Sequence, residues 1–99
     1  MPMTVVVTVN VSGRVRGFLA SCMLQVAPGV YTSPRMSGAV RERVEAVLRN
    51  WFGHESTEAS ILMTWADTTR PEGQGLVTFG TPPYDLMEYD GLVLSTLRS

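Results

Sequence analysis

The N-terminal run MTVVVTV, residues 3–9, is the feature that most constrains the fold of this chain. Its residues are largely β-branched and almost continuously apolar. A continuous apolar run of this kind is typical of a central strand that is buried on both faces. We therefore place residues 3–9 in the interior of a sheet.

The spacing of the apolar residues predicts two amphipathic helices. In the first, apolar positions recur with the helical period from Val15 to about Gln25, and Ser12 suits the N-cap. The second helix begins after Ser37 and ends at Gly53. The predicted apolar stripes consist of Val15, Phe18, Leu19, Cys22 and Met23 in the first helix, and of Val40, Val44, Val47, Leu48 and Trp51 in the second.

The remaining segments predict short strands and turns. Residues 26–33 contain a turn at Pro28-Gly29 and then a short strand. Later strands are predicted at residues 59–66, 75–80 and 91–97. The resulting order is β-α-β-α-β-β-β. Because each helix has a single apolar stripe, both should cover one face of a small antiparallel sheet, which is a ferredoxin-like α+β fold.

Length and composition fit one small domain that associates with a partner. With 99 residues the chain can bury only a modest core, so we expect additional burial through dimerisation. The sequence is 44% hydrophobic and only 17% charged, which fits a compact domain with large interfaces. Pro82-Pro83 blocks continuation of the preceding strand, and we therefore separate a core of residues 1–80 from a C-terminal extension of residues 81–99.

The sequence predicts a cytoplasmic protein without a membrane contact. The longest uncharged run, residues 17–34, contains polar residues and Pro28-Gly29, which argues against a membrane span. The N-terminus lacks a basic region ahead of its apolar segment, which argues against a secretory signal.

The basic residues are unusual in kind rather than in number. The formal net charge is −1, but all eight basic residues are arginine, which forms planar, bidentate contacts with phosphate oxygens. Arg14 and Arg16 lie beside Ser12 at the predicted helix start, where backbone N–H groups favour an anion. From the residues alone, phosphate binding and an ordinary solvated helix start both remain open.

The nine acidic residues offer no obvious catalytic pair. None precedes Glu42, so the first strand and helix supply no carboxylate for a hard cation. Asp67 lies just past a predicted strand and is either a functional ligand or a turn residue. Arg41, Glu45 and Arg49 form a ladder of charges at i, i+4 spacing, which we interpret as a solvated helix face.

A single cysteine and a single histidine exclude a zinc site of thiol and imidazole ligands within one chain. Cys22 falls on the apolar stripe of the first helix, so we expect a buried, inert thiol. His54 follows the second helix, where we expect a solvated cap.

Residues 5–33, VVVTVNVSGRVRGFLASCMLQVAPGVYTS, resemble the small CRISPR-associated protein called Cas-two, in its type I-E subfamily. Members begin with a VVVT-N strand, an R-R-G helix start and a GVY strand. MTWA at 63–66, TFG at 78–80 and DGL at 90–92 follow in the family's order and spacing. The ordered set of motifs carries the resemblance, and it covers essentially the whole chain.

The resemblance implies a ferredoxin-like homodimer in a prokaryotic cytoplasm. In type I-E systems this dimer lies between two dimers of the integrase Cas-one, and the assembly inserts short foreign DNA into the CRISPR array in antiviral defence. The implied role is that of a DNA-bridging subunit of spacer acquisition, which holds double-stranded DNA by its phosphates. Arg14 and Arg16 match family positions that contact this DNA, and Arg41 matches a further basic position.

One departure from the family pattern concerns catalysis. The family is described as magnesium-dependent endonucleases, and type I-E relatives have Glu where this chain has Val9. The alternative function, a metal-dependent endoribonuclease or deoxyribonuclease, retains only Asn10 and Asp67 as candidate ligands for magnesium. We therefore assign no catalytic residue, no resident metal and no required cofactor. A toxin-like ribonuclease or another ferredoxin-like binding module is a third interpretation, because one fold hosts many functions.

The C-terminal extension differs from the family in one loop and resembles it in the tail. In TPPYD, relatives have an arginine pair where this chain has Pro83 and Tyr84, so we expect weaker DNA contacts there. The tail resembles the segment that docks on the integrase by adding a strand to a partner sheet. The docking candidates are Met87, Leu92, Val93, Leu94 and Leu97. Alternatively, GLVLSTL completes the protein's own dimer sheet, since an isolated edge strand needs cover.

Overall fold

The computed structural model describes residues 2–80 with their side chains and the backbone of residues 84–89 and 92–97. These residues form strands and helices in the order β-α-β-β-α-β-β-β-β. The strands are β1 (Thr4–Val9), β2 (Leu24–Ala27), β3 (Val30–Ser33), β4 (Ser60–Ala66), β5 (Gln74–Gly80), β6 (Tyr84–Tyr89) and β7 (Leu92–Leu97), and the helices are α1 (Gly13–Cys22) and α2 (Gly38–Phe52).

The first five strands form one antiparallel sheet in the order β2-β3-β1-β4-β5. β1 lies in the middle, as the apolar run at residues 3–9 predicts. The order β2-β3-β1-β4, with one helix after β1 and one after β3, is that of a ferredoxin-like fold. β5 adds a fifth strand beside β4. The prediction of a ferredoxin-like α+β fold is confirmed.

The side chains of β1 show that the helices cover only one face of the sheet. Thr4, Val6 and Thr8 are buried, whereas Val5 and Val7, which point to the other face, are half-buried. The prediction of a strand buried on both faces is therefore wrong for the single chain. We call the side that the two helices leave uncovered the open face, and its apolar residues include Val5, Val7, Val30, Leu62 and Leu76.

The core lies between the helices and the covered face. α1 contributes Val15 and Leu19, and α2 contributes Val44 and Leu48. The buried hydrophobic residues are Val6, Val11, Val15, Leu19, Met23, Tyr31, Met36, Val44, Leu48, Ala59, Ile61, Met63, Trp65 and Phe79. Burying one such aliphatic side chain stabilises a fold by about 1.5–3 kcal/mol. The four helical positions therefore hold both helices on the sheet.

The first helix is shorter than predicted and an additional strand follows it. α1 ends at Cys22 rather than near Gln25, and Met23 has an extended backbone with φ −139° and ψ 161°. β2 then pairs with β3 across the Pro28-Gly29 turn. The predicted helix is too long because Met23 is apolar and buried in the core, which matches the helical spacing although Met23 lies beyond the helix.

The second helix agrees with the prediction at both ends. Ser37 is its N-cap, with Oγ accepting a hydrogen bond from the Val40 N–H at 3.2 Å, and Gly53 is its C-cap. Val44 and Leu48 are buried, but Val40 is 41% exposed. Contact with the core therefore begins one turn later than the apolar stripe predicts.

The last two strands form a separate two-stranded antiparallel sheet. The register joins Tyr84 to Leu97 and Tyr89 to Leu92. β7 confirms the strand predicted at 91–97, whereas β6 was not predicted, because Asp85 and Glu88 interrupt its apolar pattern. The division into core and extension stays a prediction. Within the described residues, no helix has the length and apolar character needed to cross a membrane.

Candidate nucleic-acid interface

The start of α1 presents two exposed arginines. Ser12 is the N-cap, and its Oγ accepts a hydrogen bond from the N–H of Val15 at 3.5 Å. Arg14 and Arg16 lie on the solvent side of this first turn, whereas Val15 between them is fully buried. In the described part of the chain, neither arginine forms an ion pair. The two exposed arginines thus lie on either side of Val15, whose buried side chain holds this turn on the core.

Arg14 stacks on an aromatic side chain of the other helix. Its Cζ lies 4.0 Å from the centroid of the Trp51 ring, which is within the range of a cation–π contact. Trp51, in the last turn of α2, meets Phe18 of α1 with ring centroids 5.3 Å apart and an interplanar angle of 67°. The position of Arg14 therefore depends on how the two helices pack, which the local sequence does not reveal.

Arg16 lines an open cleft at the end of β1. The cleft has a volume of ≈ 280 Å³ and is lined by Thr8, Asn10, Val11, Arg16, Pro28 and Gly29. Asn10 has φ +55°, a left-handed conformation that Asn adopts more readily than most residues. The Thr8 hydroxyl donates to the carbonyl of Gly29 at 3.1 Å and ties the β2–β3 turn to the strand end. Val9, directly before Asn10, is 39% exposed and has no oxygen to offer a metal ion.

Glu55 occupies part of the α1 start. Its carboxylate accepts hydrogen bonds from the N–H of Ser12 at 2.6 Å and from the Ser12 hydroxyl at 2.8 Å. A carboxylate is favoured at the positive end of a helix, so the chain itself partly meets the preference for an anion there. Sequence reasoning missed Glu55 because the contact joins residues 43 positions apart. A capping box has Glu or Gln three residues after the N-cap. Here that residue is Val15, so the local sequence does not indicate that a carboxylate caps the helix.

Arg41 makes a second stack of the same kind. Its Cζ lies 4.3 Å from the centroid of the Trp65 ring, and the Cζ of Arg70 lies 5.8 Å from that centroid. The predicted ladder of charges on α2 is therefore incomplete. Glu45 pairs with Arg49 at 2.9 Å, whereas Arg41 faces Trp65 instead.

The arginines predicted to bind DNA do not form one cluster. Arg14 and Arg16 share the beginning of α1. Trp51, which holds Arg14, lies ten positions from Arg41 on α2, or about 15 Å at 1.5 Å per residue. The three arginines predicted to bind DNA thus form two separate cationic points, Arg14 with Arg16 and Arg41 alone, near opposite ends of α2.

The two candidate ligands for magnesium lie at opposite ends of the sheet. The antiparallel register joins Thr4 to Trp65, so Asp67 lies beside the start of β1, whereas Asn10 follows the end of β1. They are too far apart to share one cation within a single chain. Among residues 2–80, no three His, Cys, Asp or Glu side chains form a group that could hold a metal ion.

Asp67 is a turn residue. Its Oδ1 accepts hydrogen bonds from the N–H and the hydroxyl of Thr69 at 2.9 and 2.5 Å, and its Oδ2 accepts from Nε of Arg70 at 3.2 Å. The hydrogen bonds from Thr69, reinforced by Arg70, lower the pKa of Asp67 from its ordinary value of 3.8. Of the two roles that the sequence left open, the geometry supports the turn.

The prediction of a buried Cys22 is wrong. Cys22 is exposed, because α1 ends there and the chain leaves the helix layer for β2. Its Sγ lies 3.5 Å from the carbonyl oxygen of Phe18 and 3.7 Å from that of Leu19. Partial desolvation raises the pKa of the thiol, which disfavours the reactive thiolate.

His54 is exposed after α2, as predicted, and donates its backbone N–H to the carbonyl of Trp51 at 3.0 Å.

The candidates for integrase docking belong to the C-terminal sheet. Met87 is in β6, and Leu92, Val93, Leu94 and Leu97 are in β7. Their side chains lie outside the described residues, as does Pro83. Docking on an integrase and completion of the protein's own dimer sheet both stay predictions.

These features define a small α+β protein with arginines on its helix layer and an open face on the other side of its sheet. The family described as CRISPR-associated protein (Cas_Cas2CT1978) matches residues 3–94 of the chain. Because the match covers most of the sequence, the chain belongs to this Cas2-type family. The resemblance is confirmed at the level of the family, and the type I-E assignment stays a prediction.

Proposed function

We propose that this Cas2-type protein is a DNA-bridging structural subunit of the CRISPR spacer-acquisition complex of type I-E. The observation that carries the proposal is the pair of exposed arginines, Arg14 and Arg16, on either side of the buried Val15 at the start of α1. Arginine on a rigid helix turn suits the bidentate recognition of phosphate oxygens. Arg41 supplies a further contact near the other end of α2.

The arrangement favours contact with the DNA backbone over recognition of bases. Contacts to phosphates position a protein on DNA without reading its sequence. Trp51, which contacts Arg14, and Arg41 are separated by about 15 Å along α2, and phosphates of one strand repeat about every 3.4 Å along the duplex axis. A duplex lying across the helix layer would therefore meet both points with phosphates several base pairs apart.

The open face supports association with a second copy of the chain. The half-buried Val5, Val7 and Leu62 lie on it, and a contiguous apolar surface of this kind is typical of an interface. A homodimer joined through this face, working with the integrase Cas-one in the cytoplasm, is part of the proposal.

The proposed role assigns no catalytic residue. A metal-dependent endonuclease would need oxygen ligands near one another, and Asn10 and Asp67 lie at opposite ends of the sheet. The exposed end of β1 carries Val9 rather than an acid.

The proposal is tested by duplex DNA binding and by integration of short duplexes with the partner integrase. Replacing both Arg14 and Arg16 by Ala should weaken binding by about a hundredfold or more, because each charge-assisted contact is worth about 1.5–3 kcal/mol. The slope of log Kd against log salt should fall by at least about one unit per arginine.

The matched control is Arg43→Ala, which removes an exposed arginine of α2 that has no assigned role. It should change the affinity and the slope much less than the double variant does. Affinity of the wild-type level in the Arg14/Arg16 double variant would overturn the proposed function.

A further inference from the structure

Trp51 contacts one of the proposed DNA-binding arginines with the face of its ring. Its side chain is half-buried at the end of α2 and meets Phe18 of α1 in an edge-to-face contact, with ring centroids 5.3 Å apart. The guanidinium of Arg14 lies over the ring at 4.0 Å. The indole is therefore fixed by the packing of the two helices, and the cation rests on a surface that is itself held in place.

We propose that Trp51 is a positioning residue that holds the Arg14 guanidinium ready for a DNA phosphate. This inference rests on the proposed function. With its Cζ over the indole ring, the Arg14 guanidinium still has N–H groups directed away from the ring, and these groups can donate to phosphate oxygens. Stacking also restricts a long side chain before it binds, so less rotamer freedom is lost when the phosphate arrives.

Arg16 provides an internal comparison. It belongs to the same helix start, but within residues 2–80 it has no aromatic ring beneath its guanidinium. Removing the ring of Trp51 should therefore weaken the contribution of Arg14 and leave that of Arg16 unchanged. A loss of helix packing, by contrast, would affect both arginines.

The experiment is a double-mutant cycle in the full chain, with a fluorescently labelled DNA duplex as the probe. Trp51→Leu should raise Kd by about two- to fivefold, the range of a partly exposed cation–π contact. In an Arg14→Ala background the same substitution should cause no further change. Trp51→Phe keeps an aromatic face and should restore most of the affinity. Leu48→Val, a core change in α2, controls for general destabilisation and should leave Kd unchanged.

A spectroscopic measurement reports the stack without DNA. The side-chain protons of Arg14 should show an upfield NMR shift from the indole ring current, which Trp51→Leu abolishes and Trp51→Phe largely keeps. Equal weakening by Trp51→Leu in both backgrounds would overturn the inference, because Trp51 would then act independently of Arg14. Unchanged Kd in Trp51→Leu, while Arg14→Ala binds weakly, would also overturn it and leave the proposed function intact. If Arg14→Ala itself binds normally, the inference fails, and the proposed function is then decided by the Arg14/Arg16 double variant.

Discussion

At the scale of single residues, Glu55 places a negative charge beside the proposed DNA contacts. Its carboxylate accepts two hydrogen bonds from Ser12, at the same helix start that carries Arg14 and Arg16. A DNA phosphate approaching this turn therefore meets a carboxylate as well as two cations. At the start of α1, the carboxylate of Glu55 stabilises the fold as a cap, but its negative charge weakens the attraction for a DNA phosphate.

Glu55→Gln should strengthen duplex DNA binding and weaken the fold. Removal of the charge should lower Kd severalfold, and loss of the charged cap should lower the free energy of unfolding by about 0.3–1 kcal/mol. Fluorescence anisotropy at fixed salt and urea unfolding measure the two effects. Glu58→Gln, in the same loop, is the control, because the described contacts of Glu58 involve only its backbone N–H. Weaker DNA binding in Glu55→Gln would contradict this account.

Asp67 should make stability depend on acid pH. Its pKa in the folded chain is lowered, chiefly by hydrogen bonds from Thr69, so the unfolded state binds the proton more readily. The stabilisation is therefore complete above the ordinary pKa of 3.8 and is lost as the pH falls through the lower, folded-state pKa.

The measurement is the difference in thermal unfolding between wild type and Asp67→Asn from pH 7 to pH 2.5. The wild type should be the more stable protein at pH 7, and its advantage should shrink as the pH falls below about 4. Subtracting the variant removes the titration of the other carboxylates. An advantage that stays constant over this range would show that the turn does not depend on the charge of Asp67.

At the scale of elements, β4 and β5 pack through a position that requires glycine. Gly75 is the register partner of Trp65, and a Cβ added at Gly75 would lie 2.1 Å from Cε2 of the indole. Trp65 is only 6% exposed, so its ring has little room to move. The Trp65 ring, which Arg41 contacts, therefore occupies its position only because Gly75 on the neighbouring strand has no side chain.

Gly75→Ala should destabilise the chain by about 1–3 kcal/mol, the usual result of overpacking a core. The matched control is Gly17→Ala, in the interior of α1, where a Cβ meets no atom within 4 Å. That change should stabilise the chain by up to about 1 kcal/mol, because Ala favours a helix more than Gly does. Urea unfolding of the two variants checks both signs. Equal stabilities would contradict the packing described for Trp65.

The sequence predicted those elements whose signals are local. α2 was located at both ends because Ser37 and Gly53 are recognisable caps. The end of α1 was misplaced because the buried Met23 continues the apolar spacing into an extended segment. In the candidate site, the helix start and the family resemblance together single out Arg14 and Arg16, and their contact with DNA stays a prediction. Trp51 and Glu55 were not found, since their contacts depend on how α2 and its following turn pack against α1.

At the scale of the whole molecule, the open face should determine the oligomeric state. Leu62 of β4 lies beside Val7 in the centre of that face. Leu62→Glu should convert a dimer into a monomer, because a carboxylate cannot be buried there without a partner. Sedimentation of the full chain measures the change. Val40→Glu, at an exposed apolar position of α2, is the control and should remain dimeric. A dimer in both variants would exclude the open face as the interface.

The open face and the face covered by the helices lie on opposite sides of the sheet. A dimer joined through the open face therefore carries each arginine of the helix layer twice. Two copies joined through their open faces have both helix layers on the outside, and every substitution is then present twice. If a duplex contacts one copy, removing Arg14 lowers the salt slope by about one unit, whereas a duplex that contacts both copies loses about two. The decrease in the salt slope therefore shows how many copies of the protein contact one DNA duplex through Arg14.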